Sequence, residues 1–292
     1  MKTFRRDILE VLERGWDSVG PRCEPIIAYI AGLQNSDGGF RGRTPQSDLY
    51  YSVFAGEILL SAQADFDRAG LIRYLHTIDS QHLDFIHLCC WIRCAADISI
   101  LDRQLKTNFI RRLAAFRCED GLFHHVAAGR EGSVYGTFLA MAAQQDMGET
   151  VAAAESLILK LDEFRNPDGS YRNELQAGGG MIPSTAAAMV MLSQSGIAIE
   201  QQTIEWVLSC LTDEGGLAVS PMMPVADLLS TATALQALRW GGTDLTGIKT
   251  RCGSFVDGLF QDVGGFSANA FDSTIDSEYT FYGLLTLGNL NG

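Results

Sequence analysis

The sequence predicts an all-α protein, a closed (α/α)6 toroid of six helical hairpins joined by glycine-rich loops. Three observations predict it. A glycine motif recurs at a near-constant interval, charged amphipathic segments alternate with segments that are apolar nearly all round, and the last unit ends apolar without a polar cap. The chain has 292 residues, 47% of them apolar, enough for a core of ordinary globular size. We read one domain over 1–292, with an N-terminal helix over 1–24 and six repeats over 25–292.

The motif sets the count of units. LQNSDGGF (33–40), FRCEDGLF (116–123), EFRNPDGSY (163–171), CLTDEGGL (210–217) and FQDVGGF (260–266) align with first glycines at Gly38, Gly121, Gly169, Gly215 and Gly264, at intervals of 83, 48, 46 and 49 residues. The first interval is nearly double the others. Midway along it HTIDSQHLDF (76–85) places Asp79 where the other units carry their acidic residue, so a second unit has lost its glycines. The glycines read as turn chemistry: they supply the positive φ that reverses the chain, and the following Phe, Leu or Tyr anchors the loop.

Layers follow from patterning. RQLKTNFIRRLAAF (103–116) and AESLILKLDEF (154–164), which precede loops, carry charge on one face and suit an outer layer. EGSVYGTFLAMAA (131–143), PSTAAAMVMLSQSG (183–196) and DLLSTATALQAL (227–238), which follow loops, are apolar or small on nearly every side and belong inside. The apolar final segment DSEYTFYGLLTLGNLNG (276–292) favours closure onto the first unit over an open solenoid. Closure leaves a central funnel lined by inner-helix residues.

Charge and cysteine usage narrow the partners. Lys and Arg total 22 against 35 Asp and Glu, a formal charge of −13, which repels nucleic acid and anionic lipid. No stretch has the roughly 18 apolar residues of a membrane span, and the amphipathic start lacks a secretory run, so a soluble, cytoplasmic protein is expected. The seven cysteines (Cys23, Cys89, Cys90, Cys94, Cys118, Cys210, Cys252) form no C-x-x-C pair and read as reduced thiols. The histidines His76, His82, His87, His124 and His125 match no metal-ligand spacing with Cys89 or Cys90.

GGFRGRTPQSDLYYSVFAGEIL (38–59) resembles the G-G-F-x-G-R and D-x-C-Y-S-x-W motifs of protein prenyltransferase β subunits, the farnesyl and geranylgeranyl transferases. FRNPDGSY is similar to the Q-x-x-D-G-S-W repeat of squalene and terpene cyclases, which share the toroid. The glycine-loop signature covers about 25–292. The resemblance implies an isoprenoid diphosphate in an aromatic funnel, a helical partner subunit, and a zinc ion held by the Asp and Cys of D-x-C and the His of D-x-x-H-T. Here D-x-C reads Asp48-Leu49-Tyr50, or Asp227-Leu228-Leu229 in the late unit, and D-x-x-H-T reads Asp276-Ser277-Glu278-Tyr279-Thr280. A neutral phenol is a poor zinc ligand and one carboxylate cannot hold a tetrahedral site, so no metal cofactor is expected and zinc is disfavoured. Asp48 reads more readily as a helix N-cap, and Asp48 and Asp276 remain the candidate catalytic carboxylates.

By the same resemblance Arg43 matches the arginine of G-G-F-x-G-R, Tyr51 the tyrosine after the missing cysteine, and Phe54 the tryptophan. REGSVYG (130–136) resembles H-x-G-x-x-Y-C, putting Arg130 at a diphosphate-binding histidine and keeping Tyr135. Arginines present paired donors suited to phosphate oxygens, but in so acidic a chain Arg43 and Arg130 equally suit pairing with carboxylates. Tyr50, Tyr51, Phe54, Trp91, Tyr135, Phe138, Tyr279 and Tyr282 are the candidate funnel lining.

Three functions compete. One is an isoprenoid-binding, prenyltransferase-like protein in which Arg43, Arg130 and Tyr51 steady a diphosphate and transfer proceeds without the usual zinc. The second is a protonation-initiated, class II terpene cyclase-like enzyme; the chain has no D-x-D-D, and its nearest acidic clusters are Asp272 with Asp276 and Glu278, and Asp79 with Asp84. The third is non-catalytic binding of a hydrophobic ligand or a partner subunit.

Overall fold

The computed structural model describes residues 2–149 and 155–292; Met1 of the predicted segment 1–24 and Ala154 of the segment 154–164 lie outside them. An N-terminal helix α1 (Phe4–Val19) precedes six hairpins. Their outer helices are α2 (Cys23–Ala31), α4 (Arg68–Thr77), α6 (Arg103–Ala114), α8 (Glu155–Glu163), α10 (Gln201–Ser209) and α12 (Thr246–Gly258). The inner helices are α3 (Leu49–Ser61), α5 (Phe85–Asp97), α7 (Val134–Asp146), α9 (Ile182–Gln194), α11 (Leu228–Trp240) and α13 (Ser277–Leu290). Each inner helix packs on the next, and α13 packs back on α3, so the ring is closed. The inner helices run 13 or 14 residues, about 20 Å, which sets the depth of the barrel.

The loops repeat one device. The five aligned glycines have φ between +88° and +104°, where a side chain is strained. In the five glycine-bearing units the residue two positions beyond that glycine donates its backbone N–H to a hydroxyl one turn inside the following inner helix: Phe40 to Ser52, Phe123 to Thr137, Tyr171 to Thr185, Leu217 to Thr231 and Phe266 to Thr280. Each bond satisfies a buried loop donor and ties the loop to its helix. Gly264 closes the ring, because a Cβ there would lie 2.1 Å from the carbonyl oxygen of Pro25 in the first unit.

The toroid is all-α as expected, and one loop adds a small sheet. The loop of the sixth unit forms a three-stranded antiparallel sheet, β1 (Phe260–Gln261), β2 (Gly265–Asn269) and β3 (Asp272–Ile275), with Phe260 opposite Phe266 and Ser267 opposite Ile275. It extends a pairing that other units make as single bridges, such as Gln34 with Phe40 and Leu211 with Leu217.

Helix α1 lies across the C-terminal ends of all six inner helices. Trp16 bonds Ser61 of α3, Arg5 pairs with Asp97 of α5 and Asp146 of α7, and the Phe4 amide bonds Gln145. Gln194 of α9 donates to the Lys2 carbonyl, Asp7 accepts from Gln236, Arg239 and Trp240 of α11, and Arg14 reaches the Gly288 carbonyl of α13. Cations at helix C-termini complement the helix dipoles. The crossing with α13 is close because it is made by glycines: a Cβ on Gly288 would fall 1.9 Å from the Val11 carbonyl oxygen. The funnel is therefore blind at this end.

Candidate functional site

The inner helices enclose a cavity of about 560 Å3, within the roughly 300–1,000 Å3 range of small-molecule sites. Its lining follows helical spacing. On α3 the inward face is Tyr50, Val53, Phe54 and Glu57, on α5 it is Ile86, Cys89, Cys90 and Arg93, and α13 adds Phe281, Tyr282 and Leu285. Phe4 and Ile8 of α1 form part of the floor. Tyr135 and Met181, 41% and 43% exposed, mark the opening at the N-terminal ends of the inner helices.

The walls are aromatic. Tyr50 meets Phe54 edge-on at 5.0 Å, and Phe54 meets Phe281 at 5.1 Å and Tyr282 at 5.8 Å. Tyr50 donates its hydroxyl to Glu278 Oε1 at 2.6 Å; burial raises both groups above their ordinary values, so the phenol stays neutral. Burial pushes the Cys90 thiol up to about 12, which leaves it protonated at neutral pH.

The floor is ionic. Arg93 donates to Glu57 Oε1 at 3.0 Å and to Asp146 Oδ2 at 2.5 Å, while Arg5 of α1 sits 3.2 Å from Asp97 Oδ1 and 3.6 Å from Asp146 Oδ1. Three carboxyl groups thus face two guanidiniums. Burial pushes Glu57, Asp97 and Asp146 above the usual carboxylate range, Asp97 furthest, against the opposing pull of the arginines. Asp97 Oδ2 and Asp146 Oδ1 have no hydrogen-bond partner. With three carboxyl groups against two guanidiniums, burial favours the protonated form of the cluster beyond the ordinary carboxylate range.

Of the residues expected from sequence, Tyr50, Phe54, Tyr135, Phe138 and Tyr282 line the cavity; Arg43, Tyr51, Trp91, Arg130 and Tyr279 do not. Trp91 sits two residues from Cys89 on α5, which turns it to the outer layer, where it packs on Phe109 at 4.6 Å and donates to the Leu75 carbonyl. Tyr51, one residue past Tyr50, is rotated off the inward face and lies over Gly42. Arg43 donates to Asp276 Oδ2 at 3.0 Å and stacks over Tyr279 at 5.5 Å, so its charge is already matched. Arg130 is exposed in the loop before α7 and makes no ion pair among the described residues.

The carboxylates Asp48 and Asp276 are N-caps. Asp48 Oδ1 accepts from the Tyr50 amide at 2.7 Å, and Asp276 Oδ1 accepts from the Tyr279 amide at 2.9 Å while its other oxygen holds Arg43. Asp227 caps α11 in the same way through Ser230. These donors do not fit a zinc ion: their oxygens are engaged locally, Leu229 offers no ligand, and among the described residues no three His, Cys, Asp or Glu side chains are placed to hold a metal ion. His82 and His87 pair with Asp79 and Asp84 at the surface. All seven cysteines are free thiols.

Fold and site together define a helical toroid around a blind, largely apolar cavity. The chain belongs to the family of the prenyltransferase alpha-alpha toroid domain, whose model matches residues 7–201 and 187–291. Among solved structures it is similar to the type II terpene cyclase MstE from Scytonema. A variant of that enzyme in complex with geranylgeranyl dihydroxybenzoate, its substrate, aligns at 13% identity over 96% of this chain and 97% of that one, with TM-score 0.63. Another MstE variant, in complex with its product merosterolic acid A, aligns at 14% identity over 96% and 97%, with TM-score 0.64. Candida albicans protein geranylgeranyltransferase-I, complexed with GGPP, aligns at 13% identity over 97% and 90%, with TM-score 0.58. No curated protein matches the sequence. Among the described residues no helix is long and apolar enough to cross a membrane.

Proposed function

We propose that this protein binds a linear isoprenoid in its cavity and cyclises it by protonation. The observation that carries the reading is the blind aromatic cavity with a buried cluster of carboxyl groups and arginines in its floor. Glu57 and Asp146 of that cluster border the cavity. A chain threaded tail-first brings a terminal double bond to them. The carboxyl O–H bond breaks, the π electrons form a C–H bond, and a carbocation remains. Arg93, bonded to both carboxyls, stabilises the carboxylate left behind and so offsets the acid-weakening effect of burial. The faces of Phe54, Phe281, Tyr282 and Phe138 stabilise the cation, which cyclises and loses a proton, so the net reaction is an isomerisation.

Zinc-dependent transfer fits less well, because the donor set does not hold the metal and Arg43 and Arg130 stand outside the cavity. The test is incubation of the full chain with C15 and C20 isoprenoid alcohols, carboxylates and diphosphates in D2O. A cyclic isomer retaining one solvent deuterium is expected, and Glu57→Gln should slow it by about 10²-fold or more. Unchanged substrates with thermal stabilisation would support a non-catalytic binder instead, and unchanged substrates without stabilisation would remove the isoprenoid reading altogether.

A further inference from the structure

We propose that the small pocket beside the mouth, between the loop preceding α7 and the loop preceding α9, binds the head of the ligand, and that this head is a carboxylate and not a diphosphate. The inference rests on the isoprenoid reading and adds the chemical class of the ligand. The pocket, about 130 Å3, shares Ile86, Tyr135, Leu139 and Asn173 with the main cavity, so a chain lying in one can end in the other.

Its polar wall consists of donors. Asn173 Oδ1 accepts from the Tyr135 amide at 3.0 Å, and because that partner can only donate, the amide oxygen must face it. The NH2 group is thereby left for the pocket. Ser133 Oγ accepts from the Gly136 amide at 3.1 Å, which leaves its hydroxyl proton to be given elsewhere. The His125 ring, tilted against His124 at 4.2 Å, and Tyr135 complete the lining with an imidazole and a phenol. Such a wall takes an oxygen acceptor.

Charge limits which one. A diphosphate brings two to three negative charges and needs several convergent cations to offset its desolvation. Among the described residues the one Lys or Arg that lines either cavity is Arg93, at the opposite end and matched by Glu57 and Asp146. At the mouth the nearest pairing, Arg43 with Asp276, is closed, and Glu278 adds a further carboxyl. Arg130 and Arg172, in the two loops that frame the pocket, do not line it, so its wall offers a ligand oxygen neutral donors and one imidazole, which suits a head with a single negative charge.

The test is calorimetric titration of the full chain with geranylgeranoic acid, geranylgeraniol and geranylgeranyl diphosphate at one ionic strength. The carboxylate should bind at least about tenfold more tightly than the diphosphate. Asn173→Asp keeps the acceptor for the Tyr135 amide while replacing the NH2 donors by a negative oxygen, so it should weaken the carboxylate about tenfold or more and leave the alcohol within about twofold. His125→Ala, at an exposed position, gives a second measurement independent of folding and should weaken the carboxylate alone. A diphosphate that binds tightest, or a carboxylate affinity unmoved by both variants, overturns this inference while leaving the isoprenoid site standing. If none of the three ligands binds, the isoprenoid reading falls and takes this one with it.

Discussion

Arg93 of α5 donates to Glu57 of α3 at 3.0 Å across two inner helices, with side-chain exposures of only 13% and 2%. Because the same guanidinium holds Asp146 of α7, one side chain ties three staves of the barrel at the level where α1 closes it. Removing one partner of a buried ion pair strands the others, which is costlier than the pair is favourable. Arg93→Leu should therefore lower unfolding stability by about 3–5 kcal/mol in urea titration. Glu57→Gln, which keeps an acceptor for Arg93, should cost less than half of that. Equal losses in the two variants would show that the charge of Glu57, and not merely an acceptor at its position, is what Arg93 requires.

The same floor gives the protein a pH dependence with a defined sign. Glu57, Asp97 and Asp146 are raised by burial, so between the ordinary carboxylate values and the raised ones the folded protein binds more protons than the unfolded chain. Stability from these groups is fully present at low pH and is lost as pH rises, at about 1.4 kcal/mol per pH unit for each proton released. Asp7 acts in the opposite sense. Burial pushes it up, but Lys2 and Arg239 overcome this and hold it low, so its contribution is present above its ordinary value and fails in acid. Melting temperature should fall as the pH is raised above the ordinary carboxylate range, and Asp97→Asn should flatten that fall. A wild-type profile that rises above that range contradicts the assignment.

Ring closure is testable at a single Cα. Gly264 has φ +104° and abuts the Pro25 carbonyl, whereas Gly178, in the loop before α9, has open space around its Cα. Gly264→Ala should destabilise by well over about 1 kcal/mol, since both backbone conformation and close approach forbid the methyl. Gly178→Ala should be close to neutral. Comparable melting temperatures for the two variants would mean that the first and last units are not locked together by this contact.

The ring was legible because its determinants are local and periodic: five glycines needing positive φ, two helix types of opposite patterning, and an apolar last helix. Helix α1 is amphipathic in sequence, but nothing local in it says that it crosses the barrel ends; that follows from side chains as distant as Asn289 and Arg239 meeting around it. The site was half legible. Motif matching points to Tyr51, Arg43 and Tyr279, whereas the spacing of Tyr50, Val53, Phe54 and Glu57 and of Ile86, Cys89, Cys90 and Arg93 identifies the inward face. Glu57 was visible as the lone charge in LYYSVFAGEILL, and Arg93 as a cation amid the apolar run of CCWIRCAAD, a signal of a buried pair that needs no family motif.

That distinction between faces separates binding from stability. Trp91 turns outward, stacked near Phe109 with its indole N–H on the Leu75 carbonyl, so Trp91→Phe removes a buried hydrogen bond and packing volume from the layer interface. The expected loss is about 1–3 kcal/mol of stability with ligand-induced thermal stabilisation unchanged. Phe54 turns inward, between Tyr50, Phe281 and Tyr282, and Phe54→Ala enlarges the cavity at its aromatic waist. That variant should lose most of the thermal stabilisation produced by a C20 isoprenoid at fixed concentration, because the ligand forfeits its contact with the ring. Melting curves with and without ligand decide the matter. If Trp91→Phe depresses the ligand-induced shift as much as Phe54→Ala does, the inward face has been drawn wrongly.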